Sequence, residues 1–127
     1  MGYRYYNPNP LQRKNIGDCT IRCLAKALNT SWDSAYIDLA SQGFFLKNMP
    51  SSNEVVNSYL HSKGFRRYAI SNLCPDCYRI RDFASDHKHG VYVLGTGSHV
   101  CCVIDGNYYD TWDSGDETVI YYWKKEN

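Results

Sequence analysis

Three residues with side chains suited to nucleophilic chemistry stand out in the sequence: Cys19, His99 and Asp110. Cys19 opens a segment with helical periodicity, and the N-terminus of a helix stabilises a thiolate and lowers the pKa of its thiol. When an imidazole lies between a thiol and a carboxylate, it takes the thiol proton while the carboxylate orients it. The sequence therefore predicts Cys19 as nucleophile, His99 as general base and Asp110 as orienting residue.

The proximity of His99 and Asp110 follows from a predicted β-hairpin. Asp105-Gly106 favours a two-residue turn, which pairs Ile104 with Asn107 and places the flanking strands in a fixed register. In that register Asp110 lies diagonal to His99 on the same face of the sheet. The imidazole and the carboxylate are therefore expected to be neighbours.

The same register places Trp112 directly across from His99. Its indole is expected to shield the His99–Asp110 contact from water, although a tryptophan here is equally compatible with ordinary packing. One extra residue in the loop would turn Asp110 away and bring Asp113 opposite His99. Asp113 therefore stays the alternative third residue.

Two further features concern the surroundings of Cys19. An isolated cysteine is usually a small buried residue, and the negative charge of Asp18 would raise the pKa of Cys19 unless Asp18 points away. A side-chain donor for an oxyanion is expected shortly before the nucleophile, where Asn15 and Gln12 are the available amides. Either amide is equally compatible with a role in a turn.

These residues resemble the papain-like cysteine peptidase superfamily in a minimal bacterial or phage version. Asp110-Thr111-Trp112 is similar to the Asn-Ser-Trp string of papain, and Asp in place of Asn resembles bacteriocin-processing peptidase domains. The strings Gly17–Arg22 and Asp82–His87 resemble motifs of small phage and prophage proteins. The resemblance extends from Asn15 to Trp123.

The resemblance implies acyl transfer through a thioester on Cys19, with a peptide, isopeptide or side-chain amide as substrate. It departs from the superfamily at Arg13, where a glutamine is common, so that Asn15 or Gln12 would have to supply the oxyanion donor. A transglutaminase-like or deamidating enzyme with the same triad is an alternative. A second is a catalytically weak or inactive papain-like module that binds a host protein or small ligand.

Composition restricts the remaining possibilities. A length of 127 residues predicts one domain. A net charge of +1 gives no indication that the protein binds nucleic acid. It contains no apolar run long enough to span a bilayer and no apolar leader, so we expect a cytoplasmic protein (the host cytoplasm if phage-encoded) with no membrane contact. No cofactor is expected, and the sequence leaves the oligomeric state open.

Cys74 and Cys77 form half of a zinc-binding pattern. A closed zinc site needs four ligands, and the adjacent Cys101 and Cys102 point to opposite faces of a strand, so they cannot complete it together. His87 and His89 are a loose match for the other half. A loop with two reduced thiols is the simpler interpretation, and zinc is the weaker alternative.

Hydrophobic periodicity predicts an α+β fold of the papain-like minimal type, with N-terminal helices packed on a C-terminal antiparallel sheet of about four to five strands. An extended N-terminal strap is expected over 1–14. The predicted helices span 18–28, 31–41 (ended by Gly43), a third from the capping pattern at 51–54 to Gly64, and 79–86; the predicted strands span 66–70, 91–94, 98–104, 108–112 and 118–123.

Overall fold

The computed structural model describes residues 2–71 and 78–126, and within them the chain forms an α+β fold of four helices and six strands. The elements in chain order are β1 (Gly2–Tyr5), α1 (Cys19–Ala27), α2 (Trp32–Leu46), α3 (Asn53–Ser62), β2 (Phe65–Ala69), α4 (Ile80–Asp86), β3 (Val91–Gly95), β4 (Val100–Ile104), β5 (Asn107–Asp110) and β6 (Tyr121–Lys125). Within these ranges, no helix is long and apolar enough to cross a membrane.

All six strands belong to one sheet, in the order β1-β5-β4-β3-β6-β2. Every pairing is antiparallel except that of β1 with β5, which is parallel. The prediction of an antiparallel sheet of four to five strands is therefore wrong in this respect. The expected N-terminal strap begins as a strand because its backbone pairs with the exposed edge of β5.

Helices cover both faces of the sheet. On one face, α1, α2 and α3 enclose an apolar core that includes Leu24, Leu60 and Trp123. On the other face, α4 contributes Ile80 and Phe83 to a second cluster. Alternate residues of β4 contribute side chains to the two cores: Cys101 belongs to the second cluster and Cys102 to the first. The sheet is thus buried on both sides, and the site lies at one end of its central strands.

Helix α1, which begins at Cys19, follows the predicted pattern closely. Leu24 and Ala25 are buried, and Ile21 and Leu28 pack against the same core. The next helix differs, because α2 runs on to Leu46 instead of stopping at Gly43. Gly43 is needed for another reason: a Cβ there would lie 2.8 Å from the carbonyl oxygen of Asn48, which folds back against the helix.

Candidate active site

The hairpin that carries His99 and Asp110 has the predicted geometry. Asp105 and Gly106 both adopt left-handed backbone conformations, with φ of 50° and 83°, as a tight two-residue turn requires. Ile104 pairs with Asn107, and the ladder continues to Cys102 and Tyr109. The predicted register is confirmed over this ladder. The predicted strand over 108–112 is too long, because β5 ends at Asp110, so Trp112 lies beyond the ladder and is not paired with His99 in the sheet.

His99 and Asp110 are in direct contact at the end of this hairpin. Nε2 of His99 lies 2.5 Å from Oδ2 of Asp110, and both side chains are largely withdrawn from solvent. Because Nε2 is committed to the carboxylate, Nδ1 is the ring nitrogen left for the nucleophile. The carboxylate thus fixes the orientation of the ring and its protonated form.

Cys19 is the first residue of α1 and is a half-buried free thiol. Burial raises the pKa of Cys19, but a hydrogen bond with His99, a hydrogen bond from the backbone N–H of Val100 and nearby positive charge outweigh it and lower the pKa below its usual value. The thiol therefore meets both the imidazole and the backbone at the start of β4. This is the environment of an activated thiolate.

The imidazole shows the opposite shift. Burial by itself lowers the pKa of His99, but its hydrogen bonds with Asp110 and Cys19, together with the negative charges of both, raise the pKa to about 9. A lowered thiol pKa and a raised imidazole pKa favour the same species. Both shifts favour a thiolate beside an imidazolium over the neutral pair.

Asp110 is held by four donors and is only 2% exposed. In addition to His99, Oγ of Ser114 donates at 2.6 Å, the backbone N–H of Thr111 at 2.9 Å and Nη2 of Arg22 at 3.0 Å. Burial raises the pKa of Asp110, but the hydrogen bonds from His99, Ser114 and Thr111 and the charge of His99 lower it overall. The carboxylate is therefore ionised and fixed in orientation.

Arg22 is a residue of the site that the sequence reasoning did not identify. Its guanidinium is buried and contacts two carboxylates, Asp18 through Nη1 and Asp110 through Nη2. Trp32 donates its indole N–H to the other oxygen of Asp18 at 3.0 Å. The negative charge of Asp18 is thus paired with a cation. The spacing of Asp18 and Arg22, one helical turn apart, was the available signal.

Of the two further residues predicted near His99, Trp112 lies beside the imidazole, whereas Asp113 makes its contacts elsewhere. The ring centroid of Trp112 is 5.2 Å from that of His99, although its side chain is 47% exposed. Asp113 is directed elsewhere, accepting a hydrogen bond from the hydroxyl of Tyr108 at 2.5 Å and one from the N–H of Gly115 at 3.0 Å. The structure brings Asp110, not Asp113, against the imidazole.

The two amides predicted as oxyanion donors lie in an exposed loop before α1. The side-chain N–H groups of Gln12 donate to the carbonyls of Asn7 at 3.3 Å and Asn9 at 2.9 Å, so Gln12 stabilises its own loop. Asn15 is exposed to solvent. For both residues, the oxyanion role stays a prediction.

The zinc alternative concerns Cys74 and Cys77, which lie outside the described residues. Of its loosely matched partners, His87 has Nδ1 2.8 Å from the carbonyl oxygen of Phe83 and stacks on the Phe83 ring at 3.7 Å. Within 2–71 and 78–126, His, Cys, Asp and Glu form no cluster of three or more that could hold a metal ion.

A small cavity of about 190 Å³ is lined by residues of α1, α2 and the loops next to them. Gly17 and Thr20, which are near Cys19 in the sequence, are among these residues, and Ile21 and Leu39 contribute apolar side chains. An apolar cavity of about 150 Å³ is large enough for benzene, so this space has room for one apolar side chain.

Neither a protein family, nor a curated protein, nor a solved structure matches the chain. The proposed function therefore rests on the arrangement of Cys19, His99 and Asp110.

Proposed function

We propose that this protein is a papain-like cysteine hydrolase that transfers an acyl group from a peptide, isopeptide or side-chain amide to Cys19. The observation that carries the proposal is the double contact of His99, which meets the thiol of Cys19 and lies 2.5 Å from Asp110. This is the arrangement in which an imidazole serves as base and acid in turn while a carboxylate fixes its orientation.

The reaction proceeds in two halves. The thiolate of Cys19 attacks the substrate carbonyl carbon, and the imidazolium of His99 gives its proton to the leaving nitrogen as the C–N bond breaks. A thioester remains on Cys19. Water then attacks the thioester carbonyl and passes a proton to His99 while the C–S bond breaks, which releases the acid and restores the thiolate–imidazolium pair.

The negative charge that develops on the carbonyl oxygen needs donors near Cys19. The start of α1 supplies the backbone N–H of Cys19 and the positive end of the helix dipole. These groups support a backbone-based oxyanion site that does not depend on Gln12. We place the reaction in the cytoplasm, where the four described free thiols would stay reduced.

The first test is the rate at which iodoacetamide labels Cys19 as a function of pH, with peptide mass mapping to locate the label. We expect labelling to persist below pH ~7 in the wild type and to be lost at that pH in His99→Ala, because an ordinary thiol has a pKa of ~8.5. Labelling of the wild type that follows an ordinary thiol would contradict the proposal.

A second test is chemical. A mixture of blocked peptides, isopeptides and glutamine-containing peptides is incubated with the wild type and with Cys19→Ala, and mass spectrometry identifies new acids or amides. Products that form only with Cys19 present identify the acyl donor. If water yields the acid, the enzyme is a hydrolase or deamidase, whereas an amine-linked product indicates a transamidase.

A binding module that retains the papain-like groove is the second candidate. It is favoured by the engagement of Gln12 with its own loop and by exposed apolar residues on and just after α2, among them Phe44, Phe45 and Met49. A wild-type Cys19 that labels as an ordinary thiol and yields no product would favour this function.

A further inference from the structure

Arg22 lies between the nucleophile and the carboxylate of the candidate triad. It belongs to α1, the helix that Cys19 opens, and its Nη2 donates across to Oδ1 of Asp110 at the end of β5. The same guanidinium contacts Asp18 through Nη1. One side chain thus joins the element that carries the nucleophile to the element that orients the base.

The charges around this guanidinium alternate in sign. Asp18 on α1 and Asp110 on β5 are the two carboxylates in contact with it, and His99 lies beyond Asp110. Cys19 lies on the same helix, and the positive charge of Arg22 is one of the influences on that thiol. With Cys19 and His99 ionised, the order along the chain of contacts is Asp18 negative, Arg22 positive, Asp110 negative, His99 positive and Cys19 negative.

Because Asp18 and Asp110 are buried, their negative charges need a nearby cation, and the guanidinium of Arg22 supplies it. Asp18, Arg22 and Asp110 are each less than a tenth exposed. Without Arg22, two buried carboxylates would lie at the site with only His99 as a counter-charge, and a buried carboxyl that loses its cation takes up a proton more readily. A protonated Asp110 would no longer favour the imidazolium form of His99.

We infer that Arg22 is a positioning residue for the reaction: it keeps Asp110 ionised and aligned on His99 and cancels the charge of Asp18 beside the nucleophile. The inference rests on the proposed function, since it concerns the ion pair of Cys19 and His99. The planar guanidinium suits this role because it offers donors to two carboxylates at once, which a single ammonium group cannot do in the same geometry.

The test compares the pH dependence of iodoacetamide labelling at Cys19 in the wild type, Arg22→Met and Arg22→Lys. In Arg22→Met we expect the midpoint of labelling to move upward by about one pH unit or more, so that the rate below the midpoint falls about tenfold. Arg22→Lys keeps the charge but loses the fork, and its midpoint should lie between the two. A role in packing alone would reduce the amount of folded protein without moving the midpoint.

Two further variants sharpen the result. Lys26→Met removes a positive charge from the same helix, where Lys26 lies over the rings of Tyr6 and Tyr109 at 5.1 and 4.3 Å, and it should leave the labelling midpoint unchanged. Asp18→Asn combined with Arg22→Met removes both members of the helix pair and should restore part of the shift, because the negative charge beside Cys19 is also gone. If Arg22→Met does not fold, Arg22→Lys and this double variant decide the matter.

The outcomes separate this inference from the proposed function. A wild-type midpoint well below that of an ordinary thiol, unchanged in the folded Arg22 variants, overturns the role of Arg22 and leaves the proposed function standing. A wild-type midpoint equal to that of an ordinary thiol overturns both. A low wild-type midpoint that rises in Arg22→Met, but not in Lys26→Met, supports the inference.

Discussion

Nη2 of Arg22 lies 3.0 Å from Oδ1 of Asp110, although the two residues are 88 positions apart in the sequence. The contact connects the first helix to the strand that follows the hairpin turn. It leaves Oδ2 of Asp110 for His99 and Ser114. The two oxygens of one carboxylate are therefore divided between Arg22 on α1 and the imidazole of His99.

Replacing Asp110 by Asn and replacing Asp113 by Asn are expected to have different effects on the pKa of His99. Asp110→Asn removes the charge that favours the imidazolium, so the pKa of His99 should fall from about 9 toward its ordinary 6.5. The pH midpoint of Cys19 labelling should rise in the same variant. NMR titration of the His99 ring and iodoacetamide labelling measure the two effects.

Asp113→Asn is the matched control for that experiment. Asp113 contacts Tyr108 and Gly115 and not the imidazole, so its loss should weaken the local loop and leave both titrations as in the wild type. Equal shifts in the two variants would mean that the effect is general electrostatics and not the contact with His99.

The stability of the protein should depend on pH differently with and without the thiol. The raised pKa of His99 contributes stability that is complete below pH 6.5 and is lost as the pH rises through about 9. The lowered pKa of Cys19 contributes stability that is present above the ordinary thiol pKa of ~8.5 and is lost as the pH falls through its folded value. The two contributions oppose each other over the same range.

We therefore expect the free energy of unfolding of the wild type to fall less steeply between about pH 7 and 9 than that of a variant without the thiol. Cys19→Ser keeps only the His99 contribution, since Asp110 still raises the pKa of the ring, and should lose stability over that range. Urea unfolding at several pH values measures both slopes. Parallel slopes for the two proteins would contradict the ion pair.

Trp112 is expected to influence the His99–Asp110 contact more than the stability of the fold. Its ring lies 5.2 Å from the imidazole but is half-exposed, so truncation removes little buried surface and admits water to the contact. Trp112→Ala should weaken the His99–Asp110 contact and slow Cys19 labelling near neutral pH several-fold, while Trp112→Phe should retain much of the labelling rate. An unchanged His99 titration in Trp112→Ala would show that the ring does not shield the pair.

Two glycines, Gly95 at the end of β3 and Gly97 in the loop before His99, allow a matched test of packing. A Cβ at Gly95 would lie 2.2 Å from the ring of Tyr121, whereas one at Gly97 would only touch Ile120 at 4.0 Å. Gly95→Ala should therefore destabilise the protein by about 1–3 kcal/mol, and Gly97→Ala should be nearly neutral. Urea unfolding compares them, and similar losses at both positions would show that loop flexibility, not the contact with Tyr121, is what matters.

The pairing of His99 with Asp110 was predictable because it depends on local rules. Asp105-Gly106 determines the turn, the turn determines the register, and the alternation of side chains determines the face. The start of α1 was predictable for a similar reason, since the apolar spacing after Cys19 marks a helix. These local rules place Cys19 at the start of α1 and bring His99 beside Asp110.

The other partners of Asp110 were not predictable in the same way. Ser114 reaches Asp110 only because the loop after β5 turns back, and β1 pairs with β5 across nearly the whole chain. Arg22 gave a signal through its spacing from Asp18, but its contact with Asp110 depends on how α1 packs against the sheet. Single-sequence patterns do not specify that packing.

The parallel pairing of Gly2 with Asn107 affects the order in which the site is assembled during folding. The amide of Tyr6 donates to the carbonyl of Asp110, and the hydroxyl of Tyr3 to the same oxygen, so the docking of β1 completes the hydrogen bonds that hold the backbone of Asp110. Contacts between segments so far apart form slowly during folding. In a chain that is still folding, Cys19 would react as an ordinary thiol. The return of fast iodoacetamide labelling during refolding would therefore report when the docking of β1 completes the site.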